Sequence, residues 1–182
     1  MNERQAAERA GRRFAAIWIA ATVLLATTSD RAADIPTLLV LPLEIVDTSG
    51  ETPSRAKELE DRLTTLTLYI SRELGTHGLY AVIDPISIGS EIGKARATQP
   101  LDRCNGCERD LARLVHADRV LIGAVDKVST LIGSLRLNIV DVATGQIIFS
   151  RVLGFRGDTD EAWQRAARFF VRDLEATAAE RR

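Results

Sequence analysis

Thr37-Leu38-Leu39-Val40-Leu41-Pro42-Leu43-Glu44-Ile45-Val46 is an almost unbroken apolar run. A half-buried strand alternates apolar and polar residues, whereas a run without alternation suits a strand covered on both faces, as at the centre of an α/β sheet. Pro42 has no N–H to give, so a ladder bond is lost there, and the second half of the run is expected to bend or to lie at an edge. Asp47-Thr48-Ser49-Gly50 then turns the chain, and Pro53 with Ser54 leads into a helix.

Leu59, Leu63, Leu66, Ile70 and Leu74 recur at helical spacing, one apolar face of a long helix that Gly75 is expected to stop. Leu79-Tyr80-Ala81-Val82-Ile83-Asp84-Pro85 reads as the second strand. Ile86, Ile88 and Ile92 among Glu91, Lys94 and Arg96 fit a short helix that Pro100 ends. Glu108 to Val115 is expected to be helical, with Leu111, Ala112, Leu114 and Val115 inward. His116 stands at its end, where histidine tolerates a positive φ better than most residues, so a capping role outranks chemistry.

Strands follow at Arg119–Ser129, Leu131–Val140 and Gln146–Gly154, the last two joined by Asp141-Val142-Ala143-Thr144-Gly145, whose glycine accepts a left-handed turn. Asp158 and Glu161 have the spacing of a capping box, and Trp163, Ala166, Ala167, Phe170 and Leu174 share one face of a final helix. That face reads as a sheet cover before it reads as a partner-binding stripe. Residues from Glu175 onward are expected to fray. The fold class is therefore α/β, a mixed sheet with helices packed on it and an antiparallel meander in the C-terminal half. The expected division is a leader over 1–29, a linker over 30–36, one domain over 37–176 and a tail over 177–182.

The leader is legible in its own right. Arg4, Arg9, Arg12 and Arg13 precede the apolar Phe14–Ala26, 13 residues long. That length suits an export signal and falls short of a membrane span, with cleavage expected near Ser29 and an uncleaved anchor as the alternative. Export points to the periplasm. Without residues 1–29, 20 basic and 23 acidic residues remain, and the 21 arginines of the whole chain are scattered, so no basic field for nucleic acid is left.

Cys104-Asn105-Gly106-Cys107 is the one candidate for chemistry. An even pair in an exported chain favours a structural disulfide. Thiol exchange is the rival, with Cys104 attacking and Cys107 resolving near a helix start that lowers a thiol pKa. Zinc would need His77 and His116 as well, and covalent haem would need histidine where Glu108 stands. No metal or cofactor is expected. Ile88-Gly89-Ser90-Glu91 carries only half of a G-x-S-x-G elbow, and Asp158 with Asp160 has a sufficient task at a helix start.

Leu39–Leu43, the entry Ala117-Asp118-Arg119-Val120-Leu121-Ile122-Gly123 and the turn Asp141–Gly145 resemble the amino-terminal domain of TolB. Similar features occur in envelope-assembly proteins such as the curli export protein and the lipoprotein activators of peptidoglycan synthases. Cys104–Glu108 and Phe155-Arg156-Gly157-Asp158-Thr159-Asp160-Glu161-Ala162-Trp163 resemble a domain-of-unknown-function family of secreted bacterial proteins, over about residues 37–174. The resemblance implies an anticodon-binding-like domain that docks onto a protein partner of the envelope or periplasm without catalysis, a quinoprotein dehydrogenase system among the candidates. It carries no binding residue across. His116 departs from the glycine often found before the alanine-aspartate pair, and no lipid-attachment cysteine follows the leader. The expected function is thus an exported accessory domain with a Cys104–Cys107 staple. A thiol oxidoreductase and a small-ligand binder using the crevice at the strand ends are the alternatives.

Overall fold

The computed structural model describes residues 35–50 and 55–180, so the leader, its cleavage point, Pro53 and Ser54 lie outside the described residues. The apolar run forms two strands, β1 (Thr37–Val40) and β2 (Glu44–Asp47), broken at Leu41-Pro42-Leu43. β1 is central, parallel to β3 (Ala81–Ile83) on one side and to β4 (Arg119–Lys127) on the other. β2 continues along β4 alone, so the expected bend to an edge at Pro42 is observed. β4, β5 (Ile132–Asp141) and β6 (Ile147–Arg156) form the antiparallel meander, and the sheet runs β3-β1-β4-β5-β6.

Two layers of helix close the core. α1 (Ala56–Thr76) and α4 (Asp160–Glu180) cover one face, with Leu59, Leu66, Ile70, Trp163 and Phe170 packed on Leu38, Leu121 and Leu137. α2 (Gly89–Thr98) and α3 (Cys107–Leu114) cover the other, where Ile88, Ile92 and Leu111 meet Leu39, Val120 and Ile122. Adjacent residues of β1 and β4 thus enter opposite cores, the physical reason their sequences do not alternate. The stripe Trp163, Ala166, Ala167, Phe170 and Leu174 is buried, so it is a sheet cover.

Several expectations are corrected. α1 runs past Gly75 to Thr76, and Gly78 supplies the left-handed residue (φ +63°). The Leu79 N–H donates to Leu74 O at 3.1 Å to close the end. Leu114, expected to point inward from α3, is 56% exposed. The last helix does not fray at Glu175; it continues to Glu180, with Thr177 Oγ1 donating to Asp173 O. His116 meets its expectation: φ is +54°, its N–H donates to Arg113 O at 3.1 Å, and Ala117 N–H donates to Ala112 O at 3.0 Å.

Candidate functional site

Cys104 and Cys107 are joined by a disulfide with Cα atoms 5.5 Å apart. Asn105 (φ +51°) and Gly106 (φ +124°) make the left-handed turn between them, and Cys107 opens α3. Cys104 is buried and Cys107 half-buried. Glu108, also buried, folds its carboxylate back onto the turn. Its Oε2 accepts from Gly106 N–H at 2.8 Å and lies 3.2 Å from Cys104 Sγ. Gln99 Nε2 donates to Cys104 O at 3.1 Å. Just before the pair, the buried Asp102 binds Arg136 of β5 at 3.1 Å, which fastens the loop to the sheet.

Cys107 is the more exposed of the two residues, whereas the thiol-exchange reading of the sequence has Cys104 attack and Cys107 resolve. Glu108 entered the sequence reading as a helix start, as part of a family resemblance and as the residue that rules out haem; its approach to Cys104 depends on a turn geometry that no pattern announces. Cys104, Cys107 and Glu108 bring ligand atoms within 4.8 Å of one another, and they are the one such set among the described residues. In the disulfide the sulfurs are bonded to each other and offer no thiolate. The histidines weighed as zinc ligands are elsewhere: His77 at the end of α1 faces Glu175 of α4, and His116 ends α3.

Asp158 and Asp160 do not cap α4. Thr159 does, its Oγ1 accepting from Ala162 N–H at 3.2 Å, while Glu161 pairs with Arg165. Asp158 instead receives Arg62 of α1 at 2.6 Å, Arg55 at 3.3 Å and Lys127 of β4 at 3.4 Å. Lys127, 3% exposed, also faces Asp47 at 3.7 Å. The Ser49 hydroxyl, its backbone N–H and the Lys127 ammonium hold the Asp47 carboxyl below its ordinary range. Arg62 further binds Asp160 and lies 5.3 Å over the Trp163 ring. This cluster ties α1, β2, β4 and the start of α4 together, a structural task.

The crevice at the carboxyl ends of β1 and β3, where α/β sheets place ligands, is small. It encloses about 260 Å³ between Pro42, Leu43, Leu68 and Pro85, and its one cation, Arg96, is held by Glu44 at 3.1 Å. A larger groove of about 400 Å³ runs between β6 and α4, lined by Val152, Phe155, Arg156, Arg165, Ala166 and Phe169. Val152 is 63% and Phe169 45% exposed, and Arg172 lies 4.4 Å over the Phe169 ring.

The fold and its surfaces define a mixed α/β sandwich with an open antiparallel edge and a disulfide-closed loop. The chain belongs to the DUF3280 family, described as "Protein of unknown function (DUF2380)", which matches residues 36–174. No curated protein matches it. Among solved structures it is similar to the lipoprotein GNA1162 from Neisseria meningitidis (17% identity, 68% of this chain and 82% of that one, TM-score 0.47). It is also similar to the PelC dodecamer from Paraburkholderia phytofirmans (15% identity, 76% and 84%, TM-score 0.46). A third is the LpoB C-terminal domain from Salmonella enterica (18% identity, 66% and 82%, TM-score 0.41). Among the described residues no helix is long and apolar enough to cross a membrane.

Proposed function

We propose that this chain is an exported, non-catalytic accessory domain that docks onto a protein partner of the envelope or periplasm. The observation that carries the reading is the groove beside β6, where Val152 and Phe169 stay exposed next to a strand of ten residues whose outer edge meets no other strand among the described residues. Exposed apolar side chains gathered along one edge cost solvation in the free protein and are recovered on association. The basic, then apolar pattern of residues 4–26 supports export. The resemblance of Leu39–Leu43, Ala117–Gly123 and Asp141–Gly145 to the amino-terminal domain of TolB supports docking. In this reading Cys104–Cys107 is a staple that shapes the turn into α3.

One observation favours a second reading, thiol-disulfide exchange: Cys107 is half-buried at a helix start, and a carboxylate lies 3.2 Å from Cys104 Sγ. In the reduced protein Cys107 thiolate would attack a substrate disulfide and release one substrate thiolate. Cys104 thiolate, its proton passed to Glu108, would then displace the second and re-form the internal bond.

The two readings separate in a pull-down of the tagged full chain from cell envelopes, with wild type beside Cys104→Ser and Cys107→Ser. Each is run with and without a crosslinker and with and without reductant. A docking domain gives one partner that requires the crosslinker and ignores both cysteine changes. Conjugates confined to Cys104→Ser and dissolved by reductant show exchange instead, and capture of nothing contradicts both.

A further inference from the structure

The sheet has two edges of very different character. β3 offers three residues, whereas β6 offers ten, Ile147–Arg156, with β5 on one side and, among the described residues, no strand on the other. A long open edge is a template of unpaired N–H and C=O groups, and natural chains blunt such edges unless they are used. Here the ladder irregularity lies at Ile139/Val140, opposite the beginning of β6, and leaves the stretch Phe149–Arg156 in regular register. We propose, on the basis of the docking reading above, that this edge is completed by an extended segment of the partner, and that the segment alternates apolar and acidic residues.

The alternation follows from the two faces of β6. Leu153 and Phe155 pack toward the core under α4, so every second residue of an added strand would face the groove floor of Phe155, Ala166 and Phe169. Val152 and Arg156 belong to the opposite, exposed face, where the intervening residues of the added strand would run beside Arg156. The groove is lined by two arginines, Arg156 and Arg165, and by no carboxylate. Arg165 is engaged only by the exposed Glu161, and Arg156 has no ion pair among the described residues. The carboxylates of the incoming strand, on its exposed face, therefore run beside Arg156, while Arg165 at the α4 rim adds to the positive potential of the groove, in the mode of strand addition that takes its affinity from main-chain bonds and its specificity from alternate side chains.

The same charges argue against a second copy as occupant. Ile147–Arg156 contains Arg151 and Arg156 and no acidic residue. Two-fold pairing of β6 with itself would set two strands without a carboxylate against each other, Arg151 being held by Asp173 of its own α4 and Arg156 having no ion pair among the described residues.

The test uses the full chain and three fluorescein-labelled decapeptides. One alternates aspartate and valine, one alternates lysine and valine, and the third is the aspartate peptide N-methylated at every second residue. Fluorescence anisotropy should show the aspartate peptide binding at least tenfold more tightly than either of the others. The double variant Arg156→Glu/Arg165→Glu should lose at least tenfold, and hydrogen exchange should slow at amides of β6. Equal binding of the aspartate and lysine peptides, indifference to N-methylation, or protection confined to other elements overturns the proposal. So does concentration-dependent self-association that protects β6, which makes a second copy the occupant. A crosslinked partner captured equally by wild type and the double variant overturns strand docking alone, whereas capture of no partner by wild type overturns the docking reading.

Discussion

Arg62 of α1 and Asp158 meet at 2.6 Å across 96 positions of sequence, with side chains only 11% and 9% exposed. Asp158 faces Arg62, Arg55 and the buried Lys127 at once, so Asp158→Asn takes one partner from each of three cations and is expected to cost about 3 kcal/mol. Asp160 binds the same guanidinium but is largely exposed, and Asp160→Asn is expected to cost no more than about 1 kcal/mol. Urea unfolding of the two variants checks the contrast.

Breaking the Cys104–Cys107 bond opens a very small loop, so its loss is expected to cost less than the roughly 3 kcal/mol of a 15-residue loop. The double serine variant and the wild type in reductant should melt at nearly the same, modestly lowered temperature. Partner binding should survive in both.

Acid should weaken the protein through particular carboxylates. Asp118 accepts the Thr37 N–H and the Thr37 hydroxyl, each at 2.8 Å, and these bonds hold its carboxyl below the ordinary range. The N–H and hydroxyl of Thr144 do the same for Asp141. A group whose folded pKa is depressed contributes fully above its unfolded value, about 3.9, and loses that contribution as pH falls through the lower folded value. Wild type should therefore exceed Asp118→Asn in stability at pH 5 to 7, and the gap should close as the pH is taken below about 4. A gap that widens in acid would contradict the assignment.

His116 holds a left-handed conformation that costs an L residue roughly 1–2 kcal/mol and glycine almost nothing. His116→Gly is expected to stabilise by about 1 kcal/mol and His116→Val to destabilise, both read from thermal melts. Catalytic participation by this histidine would instead show as a loss of function in the stabilised glycine variant.

Local chemistry was legible where it decided the outcome locally. The break at Pro42, the buried stripe of α1, the Asp141–Gly145 turn and the strained position of His116 follow from single residues or short periods. The errors arose where two similar signals compete within a few positions. Gly75 and Gly78 both offer a helix end, and the tertiary position of Leu79 selects the second. Asp158, Thr159 and Asp160 all offer a cap, and Arg62 draws the aspartates away and leaves Thr159 to the helix. The groove was not legible at all, because the alternation Phe149, Arg151, Leu153, Phe155 reads alike in an internal strand and an edge strand. Edge status is a property of sheet order, fixed by partners far away in sequence.

The central claim is that this protein works by docking through the β6 edge, and photo-crosslinking tests it most directly. p-Benzoylphenylalanine is placed at Val152 in the full chain, with a control at Ile86, which is more exposed to solvent and follows β3 at the other end of the strand order. Irradiation of intact cells should give one dominant protein adduct from position 152 and none from position 86. Adducts in equal yield from both positions, or none from position 152, would contradict the account.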